Sequence, residues 1–94
     1  MEIGSYMQIA PGMTVNGTDG ALGTVIQVVA DEGVDVFRGI IVSHGLIIPK
    51  HIFVSADDLI AVANGTVQIN VSKTQLDQLP TEADVATRGK ESTS

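Results

Sequence analysis

Cysteine and tryptophan are absent from this chain, and aromatic residues make up only 3% of it. Without cysteine, the chain can form neither a disulfide framework nor a thiolate metal site. Basic residues are also scarce, because 5 Lys and Arg stand against 11 Asp and Glu and leave a formal net charge of −6. Since such a charge repels phosphate backbones, we expect no direct contact with nucleic acid.

Long hydrophobic runs are missing as well. No stretch of the sequence approaches the roughly 20 apolar residues that a membrane-spanning helix needs. Residues 1–12 lack the basic and apolar regions of a signal peptide. We therefore expect a cytoplasmic protein that does not insert into membranes.

The hydrophobic residues that are present favour a sheet. They form 44% of the 94 residues, which is enough for the core of one domain. Valine and isoleucine dominate them, and β-branched side chains suit strands better than helices. Turn residues divide the apolar residues into predicted strands at 13–15, 22–30, 36–43, 51–54, 59–63 and 66–71. The apolar run 46–49 ends at a proline, so we expect it to be an edge or a crossing segment. This spacing predicts an all-β fold, a small antiparallel β-barrel of about six strands, because closure removes exposed edges.

Short motifs predict the turns and helix ends. Asn64-Gly65 between two apolar runs is typical of a tight hairpin. Residues 55–58 and 72–75 have the spacing of capping boxes, so we expect one helical turn after the first. The second predicts a short C-terminal helix of about two turns that ends at Pro80. We divide the chain into an N-terminal extension (1–11), a barrel domain (12–80) and a disordered tail (81–94).

An ordered series of segments resembles the PRC-barrel domain family. The series is Gly12-Met13-Thr14-Val15, Asp19-Gly20-Ala21-Leu22-Gly23-Thr24-Val25, Arg38-Gly39-Ile40-Ile41-Val42, His51-Ile52-Phe53-Val54 and Asn64-Gly65-Thr66-Val67-Gln68-Ile69. The resemblance covers about residues 12–80. It implies six antiparallel strands in a compact barrel. It also implies docking to a larger partner rather than catalysis, as in a photosynthetic reaction-centre subunit and a ribosome maturation factor.

Few residues are candidates for chemistry. His44 and His51 are the only histidines, and two imidazoles without cysteine fall short of the three or four ligands of a zinc site. The acidic segment 31–35 lacks the ligand spacing of a calcium loop. No nucleophile has an activating motif around it. We therefore predict no catalytic residue, no cofactor and no metal.

The strongest functional indication is an excess of apolar residues on the two central strands. Strict alternation turns four of them away from the core: Val25, Val29, Phe37 and Ile41. Either the helix and loops cover these side chains, or they form a partner surface. The leading hypothesis is a non-catalytic interaction module that forms a homodimer through this patch, although another protein partner is possible.

Two alternatives stay open at this point. The first is a ribosome- or RNA-processing-associated factor, which only the maturation-factor branch of the family suggests. The second is a small-ligand or metal binder, which convergence of His44 and His51 with carboxylates in one pocket would support.

Overall fold

The computed structural model describes residues 8–31, 36–45 and 47–83. These residues form six strands and one short helix: β1 (Thr14–Gly17), β2 (Gly20–Asp31), β3 (Val36–His44), β4 (Lys50–Ser55), β5 (Leu59–Ala63), β6 (Thr66–Ile69) and α1 (Lys73–Leu76). The predicted all-β class and the six strands are confirmed, because α1 is only one turn long.

The six strands form one mixed sheet in the order β4-β3-β2-β1-β6-β5. Neighbours are antiparallel with one exception, since β1 and β6 run parallel from Thr14 opposite Thr66 to Asn16 opposite Gln68. The expectation of a purely antiparallel sheet is therefore wrong at this pair. The hydrogen-bonded order of the described residues has two ends, β4 and β5, so the sheet is open rather than the closed barrel that we expected.

The open sheet is nevertheless curled. Its two edge strands are joined by the 3-10 turn Ala56–Asp58, which runs from Ser55 at the end of β4 to Leu59 at the start of β5. Four residues span at most about 14 Å, whereas the edges of a flat six-stranded sheet lie roughly 24 Å apart. The sheet must therefore bend until its edges approach each other at this end.

The curl encloses a single hydrophobic core to which every strand contributes. Its buried members are Ile9, Val15, Leu22, Val25, Ile40, Val42, Ile52, Val54, Leu59, Val67, Ile69, Val71 and Leu76. Ile9 lies in the segment that we expected to be an extension, yet it is only 6% exposed. The amide of Gly12 donates to the carbonyl of Val25 at 2.7 Å and joins this segment to β2.

The predicted turns form as the motifs indicate. Asn64 and Gly65 have φ values of 54° and 74°, and two consecutive positive φ angles are the requirement of a type I′ hairpin turn. At the other turn, the Ser55 hydroxyl accepts a hydrogen bond from the amide of Asp57 at 3.3 Å. Both predictions are confirmed, the second as a 3-10 turn.

The C-terminal helix has the predicted capping box. The Ser72 hydroxyl accepts from the Gln75 amide, and the Gln75 side chain accepts from the Ser72 amide. Asp19, in the turn between β1 and β2, accepts from the Lys73 amide at 3.2 Å. The helix is shorter than the two turns predicted, because after α1 the hydrogen bonds tighten to three-residue spacing.

Two of the predicted outward residues in fact point inward. Val25 is 1% exposed and belongs to the core, and Phe37 packs against that core. In the ladder between β1 and β2, Leu22 of β2 is an extra residue. In the ladder between β2 and β3, Ile26 of β2 and Arg38 of β3 are extra residues. Each such β-bulge shifts the inward–outward alternation by one residue, so strict alternation assigned both side chains to the wrong face.

The segment after α1 lies along the edge of β4. The amide of Phe53 donates to the carbonyl of Pro80 at 2.8 Å, and Thr81 forms a β-bridge with Ile52. A ring nitrogen of His51 lies 3.3 Å from the carboxylate of Glu82. Residues 81–83, which we expected in the tail, therefore contact the sheet. The rest of the predicted tail, 84–94, lies outside the described residues.

Two truncated chains test separately how residues 80–83 and residues 84–94 contribute to stability. Ending the chain after residue 83 should leave the melting temperature unchanged, because residues 84–94 have no apolar periodicity. Ending it after residue 79 removes the contacts to β4 and should cost about 1–2 kcal/mol. Each kcal/mol lowers the melting temperature of a domain this small by about 4–8 °C. Thermal unfolding by circular dichroism measures both, and equal stability of the two truncated chains would contradict the contribution of the β4 contacts.

Candidate interaction surface

The four residues predicted as a partner surface do not come together. Val25 and Phe37 face the core, whereas Val29 and Ile41 belong to the opposite, outer face of the sheet. Of these two, Val29 is half-buried, and Ile41 is only 2% exposed although it is not a member of the core. A continuous exposed patch of all four is therefore not formed.

The outer face is partly covered by the protein's own side chains. Ile41 lies between Gln27 on β2 and Phe53 on β4. The Phe53 ring rests against Gly39, where an added Cβ would fall 2.9 Å from the ring carbon Cζ. This face offers a partner little apolar area around Ile41.

The most exposed large hydrophobic side chains of the described residues are elsewhere, at the tip of the β3–β4 hairpin. Ile47 is 93% exposed and Ile48 is 81% exposed. Pro49, which follows them, is exposed as well. We define residues 47–49 as the hairpin tip. From the sequence we expected this apolar run to be an edge or a crossing segment, whereas it is the connection between two paired strands.

A cleft of about 570 Å³ opens beside the hairpin tip. Its walls come from the start of β2 (residues 21–24), from the end of β3 (residues 43–45) and from Lys73 of α1. Its lining includes Leu22, which is only 4% exposed, and the backbone of Gly23 and Gly45. The cleft and the hairpin tip thus share one region of the surface.

His44 forms a fixed wall of this cleft. Its Nδ1 lies 2.5 Å from the carbonyl oxygen of Leu22, and because a carbonyl only accepts, Nδ1 must carry the proton. The other ring nitrogen, Nε2, lies 4.0 Å from a carboxylate oxygen of Asp77. The ring is therefore held between the Leu22 carbonyl and the Asp77 carboxylate.

His44 and His51 do not converge. In the ladder between β3 and β4, His44 lies opposite Lys50 and His51 lies opposite Ser43, so the two rings belong to opposite faces. The described residues contain no group of three or more His, Asp or Glu side chains placed to hold a metal ion. Within the acidic segment, Asp31 pairs with Arg38 at 3.2 Å, and residues 32–35 lie outside the described residues.

Comparison with known proteins adds no relative. No protein-family model matches the chain, and no curated protein matches it significantly. Among the residues that the structure describes, there is no helix long and apolar enough to cross a membrane.

Proposed function

We propose that this chain is a non-catalytic protein-interaction module of the PRC-barrel type, and that the hairpin tip is the element that contacts its partner. The observation that carries the proposal is the exposure of two adjacent isoleucines, 93% at Ile47 and 81% at Ile48. Burying one such side chain in an interface is worth about 1.5–3 kcal/mol. Clustered exposed apolar residues are typical of interaction sites.

The position of the tip favours recognition. The strands that carry it are paired from Gly39 opposite Ser55 to His44 opposite Lys50, so a regular two-stranded ladder supports the two isoleucines. Side chains held on such a support lose less conformational freedom on binding than side chains on a free segment, which favours affinity.

The family proposal rests on the motif series together with the curl of the sheet. β4 and β5 meet through the turn Ala56–Asp58, and one core lies inside the curl. We propose that this arrangement is a barrel of the PRC type that stays open between β4 and β5. A chain without cysteine also suits the reducing cytoplasm, where we place its action.

A photo-crosslinking experiment in the organism that makes the protein tests the function. A photoreactive amino acid replaces Ile48 in one strain and Ile60, which is 52% exposed on β5, in a matched control strain. We expect covalent protein adducts from position 48 and several-fold fewer from position 60. Because both positions are exposed, neither replacement should unfold the protein. The absence of any protein adduct from position 48 would contradict the proposed function.

A further inference from the structure

We infer that the partner is a second copy of this chain, and that the hairpin tip of each protomer enters the cleft of the other in a two-fold dimer. The inference rests on the proposed function and names its partner. Two neighbouring features support it: an exposed apolar projection at Ile47 and Ile48, and a cleft beside it at the end of β3.

The closeness of tip and cleft is what a two-fold interface requires. Gly45 lines the cleft, and Ile47 follows two residues later, within at most about 7 Å along the chain. In a two-fold dimer, one surface patch meets its own copy. A patch that contains both a projection and a cleft can therefore make the same contact twice. Because Ile47 is 93% exposed, it does not fill the cleft of its own protomer.

The cleft has the size and lining to receive apolar side chains. Its volume of about 570 Å³ belongs to an open depression rather than an enclosed cavity, so a side chain can enter it from outside. Ala21, which is exposed, and Leu22 contribute apolar side chains to its lining. No described side chain of this protomer is seated there.

The charges around the cleft permit self-association. Two chains with a net charge of −6 repel each other, so association is favoured where the contact region itself is neutral. Lys73 lines the cleft and Lys50 lies opposite His44 in the β3–β4 ladder. Asp19 accepts from the Lys73 amide, and Asp77 faces His44. Two positive and two negative side chains sum to zero in this region.

Complementation between two variants tests the dimer. The tip variant combines Ile47→Ser with Ile48→Ser, and the cleft variant is Ala21→Trp, at an exposed position that lines the cleft. Sedimentation velocity should find the wild-type protein dimeric at micromolar concentrations. Each variant alone should have a dimer dissociation constant raised at least tenfold. Mixing them should restore a heterodimer, because the intact tip of the cleft variant can enter the intact cleft of the tip variant.

Two further variants serve as controls for the tip and cleft variants. Ile60→Ser removes an equally apolar exposed side chain on β5 and should leave the dimer unchanged. Thr24→Trp fills the cleft from a second exposed position, so an unfolded Ala21→Trp protein does not end the test. Circular dichroism confirms that each variant is folded.

Three results would overturn the dimer: a monomeric wild-type protein, a dimer that both variants leave intact, or variants that fail to complement each other. A monomeric protein that binds vesicles of phosphatidylcholine through its tip would assign the tip to a membrane instead. A monomer whose position 48 crosslinks to a different protein overturns the dimer and leaves the proposed function standing. The absence of any adduct overturns both.

Discussion

Val25→Asp should abolish folding, whereas Val29→Asp should leave the protomer folded. The two residues are four positions apart on β2, and strict alternation would place them on the same face. In the structure, Val25 is 1% exposed inside the core, and Val29 is half-buried on the outer face opposite Gly39. A domain of this length has a total free energy of unfolding of roughly 5–14 kcal/mol. Burying an unpaired, ionised carboxylate in an apolar core costs more than this.

Circular dichroism and urea unfolding measure this pair directly. Val29→Asp should keep the β spectrum and lose no more than about 1 kcal/mol. If the two variants behaved alike, Val25 and Val29 would share one face, and the β-bulge at Ile26 that separates them would be contradicted.

The same Val29 variant discriminates between two possible dimer interfaces. If a dimer formed through the outer face of the sheet, as the sequence predicts, Val29→Asp should split it. Val29 is five residues from Thr24, which lines the cleft, so the two positions are roughly 15 Å apart along β2. If the hairpin tip and cleft form the interface, Val29→Asp should therefore leave the dimer intact.

The sequence predicts the strands and turns of this protein well because their signals are local. Asn64-Gly65 specifies a hairpin by its own backbone preferences, and Ser72 with Gln75 specifies a helix start by hydrogen bonds within four residues. The β-branched runs set the number of strands. None of these signals depends on which strands become neighbours.

The sheet order and the inward faces depend on long-range pairing and were predicted less well. The parallel pair of β1 and β6 joins residues that are about fifty positions apart, and no local pattern encodes it. The bulges at Leu22 and Arg38 come from how β2 and β3 fit their neighbours. Because one bulge reverses the alternation for the rest of a strand, an error there moved Val25 and Phe37 to the wrong face.

The hairpin tip was missed for a related reason. Apolar residues usually indicate burial, so the run before Pro49 was interpreted as an edge or crossing segment. The only signal for exposure was its position between a turn glycine, Gly45, and a proline, which leaves too few residues to form a strand. Whether such a run points into a core or into water depends on the pairing of β3 with β4.

Gly23→Ala should be among the most destabilising single-methyl changes in the protein. An added Cβ at this position would fall 1.9 Å from the backbone oxygen of Ser43 and 3.3 Å from Cγ1 of Val42. The first contact is with the backbone of β3, which cannot move away without breaking the ladder between β2 and β3. We expect a loss of about 3 kcal/mol and a fall in melting temperature of about 12–24 °C.

Gly12→Ala is the matched control for this substitution. Gly12 has a φ of +96° but nothing within 4 Å of an added Cβ, so its replacement costs backbone strain alone, about 1–2 kcal/mol. Gly23 does not have a left-handed backbone conformation. The stability lost in Gly23→Ala therefore comes entirely from the close approach of β2 and β3. Thermal unfolding of the two variants separates these causes. If Gly23→Ala proved as mild as Gly12→Ala, the backbone of β2 at Gly23 would have to lie farther from Ser43 of β3 than the structure places it.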